Sequence, residues 1–187
     1  MKRKIILAIT GASGSIYAVQ FLKHMFNAEV DVHAIISDAG RQVLHHELGF
    51  RPDDLQEFVV QWHAIDNLAA PMSSGSSKFD AMVILPCTMG SLGAIATGVV
   101  KNLIHRAADV MLKEKKPLLL AVRETPLNRI HLENMLKVHA AGALLCPPMP
   151  SFYHHPETIE EMAGFFAGRL ADLLGIEVSG MKRWQGI

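Results

Sequence analysis

The sequence predicts an α/β fold: a three-layer, doubly wound parallel sheet of the Rossmann-like or flavodoxin-like type. Three observations lead there. Short, near-continuous apolar runs recur along the 187 residues, stretches of helical periodicity fill most of the gaps, and the first run passes straight into a Gly/Ser turn and an amphipathic helix. Strands without a polar face must be covered on both sides, which is the situation of a parallel sheet held between two helical layers.

The first strand is expected over residues 4–10. It leads into Gly11-Ala12-Ser13-Gly14, where two glycines permit a sharp turn and close backbone approach to a ligand. The helix that follows would aim its free N–H groups and positive end at an anion, so the turn is a candidate phosphate or cofactor site. A plain strand-to-helix turn accounts for the same residues equally well. The spacing is not G-x-G-x-x-G, and no Gly-Lys-Ser/Thr follows, so neither the dinucleotide fingerprint nor a Walker loop is present.

Further strands are expected over 30–36, 80–85, 117–122 and 143–146. Ligands of such sheets lie beyond the carboxyl ends of the strands, so the residues just after each strand are the candidates. They are Gly11 to Ser13, Ser37, Pro86 to Ser91, Arg123 to Pro126, and Pro147 to Pro150 with Phe152 and Tyr153. Hydroxyls, glycines and one Arg-Glu pair suit a phosphate and a heteroaromatic ring better than a metal. The small residues Gly90, Ser91, Gly93, Ala94, Ala96, Thr97 and Gly98 would let a backbone come close to a flat ligand or to another helix. A helix is expected from 102 to 113. On it Arg106, Asp109 and Lys113 share one face, either as a surface ion-pair ladder or as cations turned to a phosphate.

Composition narrows the classes. The chain is 50% hydrophobic and 19% charged, enough for one sizeable core. A mean hydropathy of +0.22 is apolar for a monomer of this size, so a homo-oligomer is expected. Eighteen basic and eighteen acidic residues cancel, which argues against nucleic acid or a membrane surface as partner. No apolar run reaches a membrane span or makes a signal peptide, so the expected location is cytoplasmic. Cys87 and Cys146 read as core residues with no catalytic role. The pairs His45-His46 and His154-His155 are adjacent, diverge on a helix, and form no metal site; no metal is expected.

A set of blocks carries a resemblance. They are Gly11-Ala12-Ser13-Gly14, Ser73-Ser74-Gly75-Ser76, Pro86-Cys87-Thr88-Met89, the helix from Leu103 to Lys113, Arg123-Glu124-Thr125-Pro126-Leu127, Ile130 to Leu136, Pro147 to Tyr153, and Lys182-Arg183-Trp184-Gln185-Gly186. In this order they resemble the flavin prenyltransferase family, the UbiX-like proteins, most nearly those historically called phenolic or hydroxyaryl acid decarboxylase subunits.

The resemblance implies one flavin-binding prenyltransferase domain over 1–187 with a C-terminal arm from about 176. It implies a metal-independent transfer of a dimethylallyl group from dimethylallyl phosphate to N5 and C6 of reduced FMN, giving prenylated FMN to a UbiD-like decarboxylase. It also suggests a dodecamer. By the same resemblance Gly11, Ala12, Ser13, Ser37, Thr88, Met89, Gly90, Ser91 and Arg123 bind FMN. Ser13 and Glu47 form a proton relay. Arg106, Lys113, Glu124, Tyr153 and Arg169 form the donor-phosphate pocket, with Lys113 and Glu124 also catalytic, and Trp184 helps close it.

Two rival readings remain. One is an FMN-binding subunit of an aromatic acid decarboxylase complex, which would need no donor pocket. The other is a flavin-dependent cysteine decarboxylase, whose Pro-Ala-Met-Asn block has Pro150 here in place of Asn.

Overall fold

The computed structural model describes residues 2–184 and 186. Among these residues six strands form one all-parallel sheet: β1 (Lys4–Ile9), β2 (Asp31–Ile36), β3 (Gln61–His63), β4 (Ala81–Cys87), β5 (Leu118–Val122) and β6 (Leu144–Leu145), in the order β3-β2-β1-β4-β5-β6. Between the two alternatives left by the sequence, this is the Rossmann order, and the chain reverses direction across the sheet between β1 and β4. Every residue of β4 and β5 is buried, as continuous apolar strands require.

Alternation along the strands divides the core. Ile5, Leu7 and Ile9 of β1 face one layer and Ile6 and Ala8 the other. The first layer holds α1 (Ser15–Asn27), α2 (Asp38–Leu48) and α6 (Ile159–Leu173). The second holds α3 (Met89–Ala96), α4 (Leu103–Lys113) and α5 (Arg129–Ala140).

Each helix has a local cause. On α1, Ser15, Ala18, Val19, Phe21, Leu22 and Met25 fall on one buried stripe, and each large apolar side chain contributes roughly 1.5–3 kcal/mol. Ser37, Thr88, Asn102, Asn128 and Thr158 cap the helices that follow them with side-chain oxygens. The helix expected over 102–113 runs from 103 to 113.

Two expectations need correction. β3 went unread, because Gln61-Trp62-His63 is a three-residue edge strand without an apolar run. His154 and His155 lie in a turn rather than on a helix, and His154 packs at a tilt between Tyr153 and Phe165, with centroid separations of 4.0 and 4.7 Å.

Candidate functional site

The carboxyl ends of four strands meet around the β1–β4 reversal. Thr10, one residue past β1 and buried, joins two of them: its hydroxyl donates to the Pro86 carbonyl at 2.7 Å and accepts from the Thr88 amide at 2.9 Å. The Ser37 amide donates to the Ile9 carbonyl at 3.0 Å, which brings in the β2 end. Arg123, just past β5, donates from its amide to the Cys87 carbonyl at 3.1 Å and from Nε to the Ser13 carbonyl at 3.3 Å. Gly11 to Ser13, Ser37, Thr88 to Ser91 and Arg123 are therefore one neighbourhood. Thr10 was missed by the sequence reading, although a lone hydroxyl closing an apolar strand was the available signal.

The hydroxyls have defined roles. Ser37 Oγ accepts from the Gly40 amide at 3.0 Å, and Thr88 Oγ1 accepts from the Ser91 amide at 3.2 Å and donates to Ser91 Oγ at 3.1 Å. The Ser37 and Ser91 hydroxyl hydrogens are left for a ligand. A side chain at Gly90 would meet nothing nearer than Thr88 Oγ1 at 4.0 Å, so the start of α3 is open. Gly11 has a different cause: a Cβ there would overlap Ala39 Cβ, so the turn packs on α2 with no room for a side chain.

The N-terminus of α1 overturns one expectation. Its leading amides are not directed at an external anion, because Glu47 of α2 already occupies them. Gly14 N–H donates to both carboxylate oxygens at 3.1 Å and Ser15 N–H to one at 2.9 Å. Partial burial pushes the Glu47 carboxyl up, but the Ser13 hydroxyl and then the Ser15 and Gly14 amides outweigh it and hold the group below its ordinary 4.5. Glu47 is thus ionised at neutral pH. The thiol of Cys87, by contrast, is pushed up to about 12 by burial and is no nucleophile.

The cationic residues fall into two groups on opposite faces of the sheet. On α4, Arg106 donates from Nε to the Ser73 carbonyl at 3.0 Å and pairs with Asp109 at 2.8 Å. Lys113 pairs with Glu114 instead of completing the ladder with Asp109. The Ser73 to Ser76 block leans on this group, since a side chain at Gly75 would come within 2.6 Å of Lys113 Nζ. Across the sheet, Tyr153, Arg169 and Trp184 line a cavity of 620 Å³ with Phe165, Phe166 and Met181. Tyr153 and Trp184 meet edge to face at 5.2 Å. Glu124 follows Arg123 directly and accepts the Thr125 amide at 3.0 Å. Met89 begins α3 beside the strand ends. Of the C-terminal block 182–186, Gln185 lies outside the described residues.

The site therefore offers open backbone and free hydroxyl hydrogens at the strand ends, an ionised carboxylate beside Ser13, and cations on two flanks. A family model described as Flavoprotein matches residues 1–166. A flavin prenyltransferase UbiX from Methanothermobacter thermautotrophicus is 48% identical over 184 residues, covering 98% of this chain and 96% of that protein. Among solved structures, AnUbiX (PadA1) in complex with FMN and dimethylallyl pyrophosphate superposes with a TM-score of 0.98 over 100% of both chains at 38% identity. A dodecameric FMN-dependent Ubix-like decarboxylase from Escherichia coli O157:H7 superposes at 0.93, also 38% identical, over 98% of this chain and 100% of that one.

Proposed function

The chain belongs to the Flavoprotein family, among its UbiX-like flavin prenyltransferases, and on that premise we propose that it joins the dimethylallyl group of dimethylallyl phosphate to N5 and C6 of reduced FMN. The observation that carries the reading is the Glu47 carboxylate, distant in sequence, held on the Gly14 and Ser15 amides directly after Ser13, beside the strand ends where the flavin-binding positions converge.

The residues fit FMN. Gly90 leaves open space, Ser37 and Ser91 have hydroxyl hydrogens to give, and Arg123 supplies a cation. Bound reduced FMN supplies the nucleophilic atoms. Arg106, Lys113, Tyr153 and Arg169 hold the phosphate as the allylic carbon–oxygen bond breaks and its electron pair leaves with the phosphate. Glu124 acts as acid or base beside the leaving phosphate, its protonation lessening the repulsion between two anions. Glu47 receives, by way of the Ser13 hydroxyl, the proton displaced when the carbon–nitrogen bond forms. Arginine and lysine do the work of neutralisation that a metal performs elsewhere.

Arg106 and Lys113 lie on one face and Tyr153, Arg169 and Trp184 on the other, so we place the complete donor pocket at a junction of subunits. Exposed Ile130, Leu132 and Leu136 on α5, with Met149 and Phe152, provide apolar surface for such contacts, and a structural relative is dodecameric. The segment from about 176 is read as an arm of the one domain. The recipient of the product is read as a UbiD-like decarboxylase in the cytoplasm. For the location, the structure contributes only that no helix among the described residues is long and apolar enough to cross a membrane.

The test is anaerobic incubation of the protein with reduced FMN and either dimethylallyl phosphate or the pyrophosphate, then mass spectrometry of the extracted flavin. The expected result is a gain of one five-carbon unit with the monophosphate. Unmodified flavin on protein shown to hold reduced FMN refutes the transfer and favours a binding subunit.

A further inference from the structure

Asp172, near the end of α6, is held on both carboxylate oxygens by a residue of the C-terminal segment: Arg183 donates from Nη1 to Oδ2 at 2.9 Å and from Nη2 to Oδ1 at 2.8 Å. Arg183 thus grips the carboxylate in a parallel fork, the strong form of such a pair, and the Asp172 side chain is only 15% exposed. Arg169 is the partner that helix spacing would give Asp172, at i, i+3. It stands 4.0 Å away, beyond hydrogen-bond reach, and remains 67% exposed.

The rest of the segment docks with it. Met181 packs where Gly168 has no side chain, since a Cβ there would overlap Met181 Sδ. Lys182 Nζ sits 5.9 Å from the Phe165 ring centroid, and Trp184 meets Tyr153 edge to face.

We infer that Asp172 and Arg183 are positioning residues for the donor: their ion pair latches the C-terminal segment on α6, sets Trp184 against Tyr153, and keeps Asp172 from closing its 4.0 Å separation from Arg169 to a hydrogen bond. The inference rests on the reading above that Tyr153, Arg169 and Trp184 face the donor. A phosphate monoester carries roughly −1.5 to −2 charge and is held best by a guanidinium whose N–H groups no carboxylate occupies; Asp172 lies at ion-pair distance from Arg169, 4.0 Å, but without a hydrogen bond to it. With Arg183 removed, Asp172 is left free to pair with Arg169 and competes with that phosphate.

The test uses the full chain in a Trp62→Phe background, so that Trp184 is the sole indole. It compares Arg183→Met, Asp172→Asn and the double variant. Arg183→Met is expected to raise the KM for dimethylallyl phosphate, and its Kd measured by titration, about tenfold. The kcat and FMN affinity stay as they were, the melting temperature falls by a few degrees because the largely buried Asp172 loses its main partner, and acrylamide quenches Trp184 more strongly. Adding Asp172→Asn to Arg183→Met recovers part of the lost donor affinity, which a merely structural contact would not do. An unchanged donor KM and Kd in Arg183→Met, or a double variant no better than the single one, overturns the inference. A wild-type protein that forms no prenylated flavin refutes the transferase reading instead, while donor Kd and Trp184 quenching still decide the latch.

Discussion

Replacing Glu47 by Gln removes one charge and almost no volume, so its effect isolates what the carboxylate does at the start of α1. Three contacts with the Gly14 and Ser15 amides, at 2.9 to 3.1 Å, and the Ser13 hydroxyl are at stake. A charge at a helix N-terminus contributes about 0.3–1 kcal/mol when exposed, as Glu47 is, and a cap contributes typically ~1 kcal/mol. The expected loss is about 1 kcal/mol, or about 2–4 °C in melting temperature for a chain of this length. The folded carboxyl lies below its ordinary 4.5, so the stabilisation is complete above that pH and disappears as pH falls through the folded value. The assay is thermal melting of both proteins at pH 7 and at a series of values below 4.5. Turnover at pH 7 should fall by at least about a hundredfold, the usual lower bound for a lost general base, while FMN affinity is unchanged. Equal melting temperatures at pH 7, or a gap that persists undiminished in acid, would refute the capping argument; wild-type turnover would remove Glu47 from the relay.

Three further outcomes follow from the geometry. Lys113→Ala should raise the KM for dimethylallyl phosphate and leave the FMN Kd alone, because Lys113 sits on α4 away from the strand ends; equal loss of both in steady-state and flavin-titration measurements would contradict that separation. Thr10→Val should cost about 1–3 kcal/mol in urea unfolding and weaken FMN, since it strands the Thr88 amide at a buried crossing while the Pro86 carbonyl keeps only the Thr10 amide at 3.3 Å. Gly11→Ala should cost about 1–3 kcal/mol through the overlap with Ala39 Cβ, and pairing it with Ala39→Gly should return part of the melting temperature.

Much of this architecture could be read from local pattern. The apolar runs expected as strands at 4–10, 30–36, 80–85, 117–122 and 143–146 are strands at 4–9, 31–36, 81–87, 118–122 and 144–145, the third running on through Pro86 and Cys87, and the ends of the first four gather Ser13, Ser37, Thr88 and Arg123. What escaped was set by distant partners or by brevity. β3 is held by its parallel register with β2, through His33, Ala34 and Ile35, rather than by its own three residues. Glu47 as an α1 cap depends on a contact across more than thirty residues that no helical period announces. The opposite flanks of Arg106 and Arg169 follow from the crossovers that place α4 and α6 on different faces, which the order of motifs does not reveal. The pairing of Arg183 with Asp172 is equally invisible, because an arginine in a tail and an aspartate in a helix read alike as solvated.

The carboxylate of Glu47 also bears on how fast a ligand is captured. Because α1's first amides are satisfied from within the chain, the Gly11 to Gly14 turn has its shape before any flavin arrives. Association then requires no loop ordering, the step that slows encounter in sites built around their ligand. Flavin capture should follow simple second-order kinetics, its rate rising in proportion to flavin concentration without a plateau.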